Sequence, residues 1–301
     1  MAGKNYGHEA WIRAKNIAEG LDFREDIDLI TGGSWTEDKL YFLCQYLAVT
    51  CHGMRHNEAF PGGLCFIDLF AGSGLCSYNA ENARTTRLPG SSLIAASIQP
   101  KSFTKIIACD ERPDKLEVLT GRLRIAGFQG AIDTVPGDVN NAPELIASKI
   151  PNRSLSITFV DPFSLDIHYN TIQSLSKDRS MDLVILFTDR TDLIRNLQIN
   201  YLEKRGEKGD KLDLFLGDDS DWRNRYKSAK YPSGYDCLHL FAAIYRDQLK
   251  RIGYAHTDIY GIPPTSPLFT LVYASKHLLG LKYFGIARSS DSTGQRSLFR
   301  P

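Results

Sequence analysis

Short apolar runs that alternate with helix-like segments constrain the fold of this 301-residue chain more than any other feature. The strand-like runs are Leu64–Phe70, Lys105–Cys109, Ala131–Pro136, Leu155–Val160 and Asp182–Phe187. Their nearly continuous apolar character is typical of strands that are covered on both faces, as in parallel sheets. The segments between them carry apolar residues at helical spacing. The alternation predicts a doubly wound α/β sheet.

The C-terminal part predicts the rest of the sheet. Tyr235–Ile252 has the pattern of a helix, and His256–Gly261 and Leu268–Ser275 have the pattern of two closing strands around Pro263-Pro264. Such a strand pair would form an antiparallel edge. We therefore expect a mostly parallel, seven-stranded sheet with helices on both faces.

The other parts of the chain are additions to this core. Residues 1–35 are polar and predict an arm or irregular cap, and Thr36 has the character of an N-cap for a core-facing helix. The predicted organisation has four parts: an N-terminal arm and helical cap (1–59), a Rossmann-like cofactor-binding core (60–199), a polar insertion that could contact substrate (200–233), and a C-terminal helix with the closing strands of the same domain (234–301).

Composition excludes little. The net charge is +1, so no strong field favours an obligatory polyanion partner, although a local basic patch is compatible with it. The six cysteines form no C-x-x-C pair and show no zinc-ligand spacing. A polar N-terminus without an apolar signal core, together with this cysteine usage, predicts a cytoplasmic location.

The segment Asp68-Leu69-Phe70-Ala71-Gly72-Ser73-Gly74 carries the clearest functional signal. Glycines directly after a buried strand let the backbone approach a ligand, at the sheet edge where α/β proteins bind their ligands. A dinucleotide fold would need G-x-G-x-x-G with a helix opening at the glycines, but Ser77 stands at the third glycine position. An acid in the strand suits a methionine-type ammonium better than a pyrophosphate, which favours S-adenosylmethionine over NAD.

Acidic residues also follow the next two strands. Asp110-Glu111 ends one of them, where a carboxylate can accept hydrogen bonds from both ribose hydroxyls; Asp110 is preferred, and a solvated acid is the alternative. Asp138-Val139 follows the other, where an acid could bind the adenine amino group. Asp138 or Asn140 could instead cap the following helix.

The fourth strand ends in Asp161-Pro162-Phe163. An acid followed by proline and an aromatic ring can hold an exocyclic amine, because the carboxylate and a backbone carbonyl accept its hydrogens while the ring stacks on the base. Catalysis would then depend on positioning and electrostatics. One proline precedes the aromatic ring, whereas the full amino-methyltransferase pattern has two. A turn that serves only the cofactor pocket is the alternative.

Two polar stretches are open to more than one interpretation. Residues 75–89 include Arg84 and Arg87 and could form a lid, although a plain surface loop is the simpler interpretation. The bases and aromatic residues of 200–233 could contact phosphates and stack on bases, but nearby acids nearly cancel the bases. These residues are Lys204, Arg205, Lys208, Lys211, Arg223, Arg225, Lys227 and Lys230, with Tyr201, Trp222, Tyr226 and Tyr231.

Taken together, these motifs resemble the three-Cys-motif partner protein family (TcmP). The similarity runs through Lys39-Leu40, Ile67–Gly74, Gly90–Ala95, Val160–Phe163 and Leu271–His277. It implies a Rossmann-like class I methyltransferase fold, a motif layout related to adenine-N6 enzymes, and a partner with a three-cysteine motif. It also implies that Lys39 can reach the cofactor carboxylate. Ser164 stands where the family pattern has glycine, which leaves the substrate-side loop open.

The leading functional hypothesis is methyl transfer from S-adenosylmethionine to an amino nitrogen of a nucleic-acid base. The predicted catalytic residues are Asp161, Pro162 and Phe163, and the predicted cofactor-binding residues are Lys39, Asp68, Phe70, Ala71, Gly72, Gly74, Asp110, Glu111, Asp138 and Val139. No metal is expected. A small-molecule or protein methyltransferase is one alternative, and a cofactor-binding partner subunit without turnover of its own is the other.

Overall fold

The computed structural model describes residues 6–28, 33, 35–54, 57–79, 85–98, 103–187, 193, 196–202, 210–229, 234–262 and 269–289. The predictions for Arg84, Lys204, Arg205, Lys208, Lys230, Tyr231 and Pro263-Pro264 lie outside these residues. No helix in the described ranges is long and apolar enough to cross a membrane.

The described strands form a seven-stranded sheet and a separate hairpin. They are β1 (Leu64–Asp68), β2 (Leu75–Asn79), β3 (Thr85–Pro89), β4 (Lys105–Asp110), β5 (Ala131–Pro136), β6 (Leu155–Val160), β7 (Ser180–Phe187), β8 (His256–Ile262) and β9 (Phe269–Ser275). The sheet order is β5-β4-β1-β6-β7-β9-β8. β1 is parallel to β4 and β6, whereas β9 is antiparallel to β7 and β8. This order, with the last strand inserted antiparallel, confirms the predicted Rossmann-like methyltransferase topology.

The described helices connect these strands. They are α1 (Tyr6–Gly20), α2 (Trp35–Met54), α3 (Ser91–Ser97), α4 (Pro113–Ile125), α5 (Pro143–Lys149), α6 (Tyr169–Ser176), α7 (Lys211–Leu216), α8 (Trp222–Ser228), α9 (Gly234–Arg251) and α10 (Leu278–Ala287). The chain divides into two compact units, one up to Phe159 together with the residues from Lys282 onward, and one from Val160 to Leu281.

The first unit contains a helix that the sequence did not predict. The sequence predicts an arm or irregular cap over residues 1–35, but Tyr6–Gly20 form α1, which packs against α2, α3 and β3. Its buried face is made of small residues, Ala10, Ala14 and Ala18, beside Trp11. Alanines give little hydrophobic contrast, so the periodicity was hard to recognise. The predicted N-cap at Thr36 is also wrong, because α2 begins at Trp35 and Thr36 is buried within it.

Within the stretch 75–89, the described residues form two strands, β2 and β3, that pair antiparallel, rather than a plain loop. It follows the glycines of the Asp68–Gly74 segment directly, so no helix begins there. Arg87 at the hairpin is exposed, and its guanidinium lies 5.1 Å from the centroid of the Phe23 ring. Extended backbone after the glycines agrees with the rejection of a dinucleotide motif, which needs a helix N-terminus at this point.

The second unit has an aromatic core beside β7. The Phe187 and Phe215 rings are 5.0 Å apart, and the Phe215 and Tyr245 rings stack at 4.8 Å. Parts of the predicted polar insertion fold as the helices α7 and α8. Tyr201 and Trp222 are buried, so neither presents a ring for stacking on a base.

Candidate cofactor site at the glycine-rich loop

The glycine-rich loop, Leu69–Gly74, leaves β1 and turns at two glycines with left-handed backbone. Gly72 has φ +58° and Gly74 has φ +85°, a region that side chains with a β-carbon rarely adopt. The Ala71 amide donates to the Cys109 carbonyl at 2.8 Å, which ties the loop to β4. The loop therefore takes its path from the end of β1 across the end of β4.

Asp68, the last residue of β1, is fully buried. Its Oδ2 accepts hydrogen bonds from the hydroxyls of Ser91 at 2.6 Å and Ser92 at 2.7 Å. These bonds join β1 to the start of α3. With no exposed surface, Asp68 supports the site from behind in this conformation, and the direct binding role predicted for it stays a prediction.

Gly74 and Gly90 bring two backbone segments into contact. The Gly90 amide donates to the Gly74 carbonyl at 2.7 Å. A β-carbon on Gly90 would lie 2.9 Å from the carbonyl carbon and oxygen of Gly74, closer than real β-carbons approach. Gly90 is thus required for close packing rather than for an unusual backbone conformation. The hairpin β2–β3 leaves the loop and returns to it at this contact.

The ends of β1, β4 and β5 meet at Asp110. Its Oδ2 accepts the Gly72 amide at 2.9 Å and its Oδ1 accepts the Arg112 amide at 2.9 Å. Its carbonyl accepts the Gly137 amide at 3.0 Å. Leaving out chain neighbours, no described atom lies within 4 Å of the position that a β-carbon would take on Gly72 or Gly137. The backbones of Gly72 and Gly137 are therefore open where a β-carbon would point, and both donate to Asp110.

Asp138 lies next to Gly137 and caps a turn. Its Oδ1 accepts the Asn140 amide at 2.8 Å at the start of the 3-10 helix Val139–Asn141. The capping alternative that the sequence left open is therefore what the structure shows for this side chain. Val139 is buried behind it.

The other predicted cofactor residues surround this point to different degrees. Ala71 is buried, Phe70 is half-buried and Glu111 is exposed. Lys39 is buried on α2, with its Nζ 5.3 Å from the centroid of the Trp35 ring. The structure thus places Lys39 against an aromatic ring, and its predicted contact with a cofactor carboxylate stays a prediction.

A buried ion pair behind the loop was not predicted from the sequence. Arg122 of α4 donates from Nη1 to Asp28 Oδ1 at 2.6 Å and from Nη2 to Oδ2 at 2.7 Å. The Ser73 hydroxyl also donates to Asp28. Burial alone would raise the pKa of the Asp28 carboxyl, but hydrogen bonds from Arg122, the Arg24 amide and Ser73 hold this pKa below its ordinary value. No sequence signal marked Asp28, which lies in the polar N-terminal segment.

The predicted catalytic residues follow β6 directly. β6 pairs with β1 up to Phe159 and ends at Val160, and Asp161-Pro162-Phe163 follows Val160 without a gap. Asp161 is half-buried, Pro162 is buried, and the Phe163 side chain is 100% exposed. A fully exposed phenylalanine contributes nothing to a core, so its ring is free to contact a ligand.

Buried cysteines contribute no reactive thiolate. Burial raises the pKa of Cys65 to about 12 and that of Cys237 to about 11. It also raises the pKa of Cys44, Cys51 and Cys109. Within the described part of the chain, no group of His, Cys, Asp and Glu side chains could hold a metal ion.

No protein-family model and no curated protein matches the chain. Among solved structures it is similar to a Legionella pneumophila protein of the family model DUF519, with 10% identity, 81% of this chain and 88% of that chain covered, and a TM-score of 0.48. It is also similar to the fibrillarin pre-rRNA processing protein of Methanococcus jannaschii, with 13% identity, 83% of each chain covered and a TM-score of 0.43. A third similar structure is a Bacillus cereus O-methyltransferase in complex with SAH, with 8% identity, 92% of this chain and 93% of that chain covered, and a TM-score of 0.41.

Proposed function

We propose that this chain is an S-adenosylmethionine-dependent methyltransferase that acts on an amino nitrogen of a nucleic-acid base. The observation that carries the proposal is the meeting of the β1, β4 and β5 ends around open space at Gly72, with the Asp110 carboxylate at its border. In open α/β sheets, ligands bind at the carboxyl ends of the strands. The order of the strands and the absence of a helix after the glycines favour a methyl donor over a dinucleotide.

The residues present fit an adenosine-containing ligand. Each Asp110 oxygen accepts one backbone amide, and a carboxylate oxygen can accept more than one hydrogen bond. Asp110 can therefore hold the amides of Gly72 and Arg112 and still accept ribose hydroxyls. Gly72 and Gly137 leave room for a ligand to lie against their backbone. Bound S-adenosylmethionine would supply an electrophilic methyl group on a sulfonium.

Asp161 and Phe163 are the proposed acceptor-side residues. The Asp161 carboxylate accepts an N–H of the amino group and orients its lone pair, while the exposed Phe163 ring stacks on the base. Transfer would join the amine nitrogen to the methyl carbon as the sulfur–carbon bond breaks, leaving the electron pair on the sulfur of S-adenosylhomocysteine, and the amine proton would pass to water. Since no protein group is alkylated on the way, rate acceleration would come from positioning and from the charge of Asp161.

Cofactor binding is tested by titration calorimetry with S-adenosylmethionine and S-adenosylhomocysteine. Asp110→Ala should weaken both by at least about tenfold, because a hydrogen bond to a charged group contributes roughly 1.5–3 kcal/mol. The matched control is Glu117→Gln, an exposed acid on α4 that should leave affinity unchanged. Absence of binding to the wild-type chain at millimolar ligand would refute the proposal.

The acceptor is tested by transfer of labelled methyl groups into total DNA, RNA and protein. We expect label in nucleic acid and its loss in Phe163→Ala, while Ile125→Ala, which removes another exposed apolar side chain (73%), should keep activity. Label in protein alone would contradict the choice of acceptor.

Each assay is run with and without a three-cysteine-motif protein, the partner that the resemblance implies. Turnover only in its presence would make this chain the cofactor-binding half of a two-protein enzyme. Binding of cofactor without turnover in either case would favour a subunit with no activity of its own.

A further inference from the structure

The loop anchor, which we define as Asp28, Ser73 and Arg122, is a buried polar cluster behind the glycine-rich loop. The exposed fractions of the Arg122 and Asp28 side chains are 5% and 0%. Arg122 binds both Asp28 oxygens, and the Arg24 amide donates to Oδ2 at 2.8 Å. Ser73 donates its hydroxyl to Asp28, and its carbonyl accepts from Arg122 Nη1 at 3.1 Å. Ser73 therefore binds the ion pair through two of its groups, the side-chain hydroxyl and the backbone carbonyl.

Stability alone is a weak explanation for such a pair. Desolvation of two charges offsets most of their attraction, and apolar residues of similar volume often give equal or greater stability. What a buried pair does supply is a unique geometry, because its hydrogen bonds are satisfied in one arrangement only. The geometry fixed here is that of the Ser73 backbone.

Ser73 is the residue of the loop that most needs an external restraint. It lies between Gly72 and Gly74, and both glycines have positive φ. Glycine reaches many backbone conformations at similar energy, so the loop without a restraint would populate several. Fixing Ser73 by its hydroxyl and its carbonyl restrains the Gly72–Ser73 and Ser73–Gly74 peptides, and the first of these adjoins Gly72, whose amide donates to Asp110.

We propose that Asp28 and Arg122 are positioning residues that set the cofactor affinity of the glycine-rich loop through Ser73. The inference rests on the proposed function, since it takes the loop to be part of the methyl-donor site. Neither residue contacts the open space at Gly72; both act by keeping the loop in one conformation. Apparent affinity falls in proportion to the fraction of molecules that hold the binding conformation.

The test uses a small change and a matched control. Ser73→Ala removes one hydroxyl and leaves the ion pair in place. Ser97→Ala removes another buried hydroxyl, which donates to the Leu93 carbonyl at 2.7 Å on α3. Dissociation constants for S-adenosylmethionine and S-adenosylhomocysteine are measured by calorimetry, and global stability is measured by urea unfolding. Amide hydrogen exchange of the peptide that covers residues 69–76 reports on the loop itself.

We expect about tenfold weaker binding of both ligands by Ser73→Ala, as when the binding conformation falls to about a tenth of the population. Faster exchange of the loop should accompany it, with unchanged affinity for Ser97→Ala at a similar loss of stability. Equal affinity of Ser73→Ala and wild type overturns the inference, and so does an equal loss of affinity in both variants. If the wild-type chain binds neither ligand, the proposed function fails, and unchanged loop exchange in Ser73→Ala is then what overturns the positioning role.

Discussion

Replacing Gly90 by alanine should destabilise the protein through a backbone clash, although its own backbone conformation suits alanine. Gly90 has φ −69° and ψ 168°, which any residue adopts. Its added β-carbon would lie 2.9 Å from two Gly74 atoms, so the segments must part by about 0.5 Å to reach the 3.4 Å at which ordinary contact begins. The Gly90–Gly74 hydrogen bond of 2.7 Å and the bonds from Ser91 and Ser92 to Asp68 resist that movement.

The expected size follows from two opposing effects. Overpacking of this kind costs about 1–3 kcal/mol. Replacing glycine by alanine also lowers the conformational entropy of the unfolded chain, which stabilises the folded protein by about 0.4–1 kcal/mol. We therefore expect Gly90→Ala to lower the free energy of unfolding by about 1–2 kcal/mol. Because the clash also displaces Gly74 of the glycine-rich loop, the affinity for S-adenosylmethionine should fall as well.

The assay is urea unfolding followed by circular dichroism, with Gly121→Ala as the control. Gly121 lies within α4, and nothing lies within 4 Å of its added β-carbon. The control should therefore gain about 0.4–1 kcal/mol. A Gly90→Ala variant that matches or exceeds wild-type stability at an unchanged urea slope would refute the packing argument.

Two further predictions concern charge and thiols. Asp28→Ala leaves Arg122 buried without its carboxylate and should cost about 3–5 kcal/mol in unfolding free energy at pH 7. Because the pKa of Asp28 is lowered in the folded state, its contribution is present above the ordinary value of 3.8 and is lost as pH falls below it. The difference in stability between wild type and variant should thus narrow as pH falls below 3.8, and a difference that stays constant into acid would contradict this. Alkylation of the native protein at pH 8, followed by peptide mass spectrometry, should modify the half-buried Cys76 first. The buried cysteines are Cys44, Cys51, Cys65, Cys109 and Cys237. If they were labelled as fast as Cys76, their raised pKa values would be contradicted.

Apolar runs made the sheet predictable. β5 and β6 were predicted to the residue, and β1 and β4 within two residues. Their apolar character comes from burial on both faces, so the sequence itself records it. The acids at the ends of these strands were predictable for the same reason, because each stands out against the apolar run before it.

The features that were missed depend on contacts between distant residues. α1 buries alanines, whose small size gives a weak pattern. The ion pair joins residues 94 positions apart, and neither Asp28 nor Arg122 belongs to a recognisable motif. The burial of Asp68 by two serine hydroxyls from α3 likewise depends on how α3 packs, which residue spacing alone does not reveal.

The contact between Gly74 and Gly90 has a consequence for how proteins of this design can diverge. Residues 75–89 separate Gly74 from Gly90 in the sequence, and the Gly90 amide donates a 2.7 Å hydrogen bond to the Gly74 carbonyl. This contact holds the loop and the start of α3 in register, and the packing of β3 against α1 holds the returning strand. Lengthening a closed excursion of this kind costs little entropy, about 0.6 kcal/mol for each doubling. The segment between β2 and β3, rather than the two strands themselves, is therefore where we expect proteins of this design to vary in length.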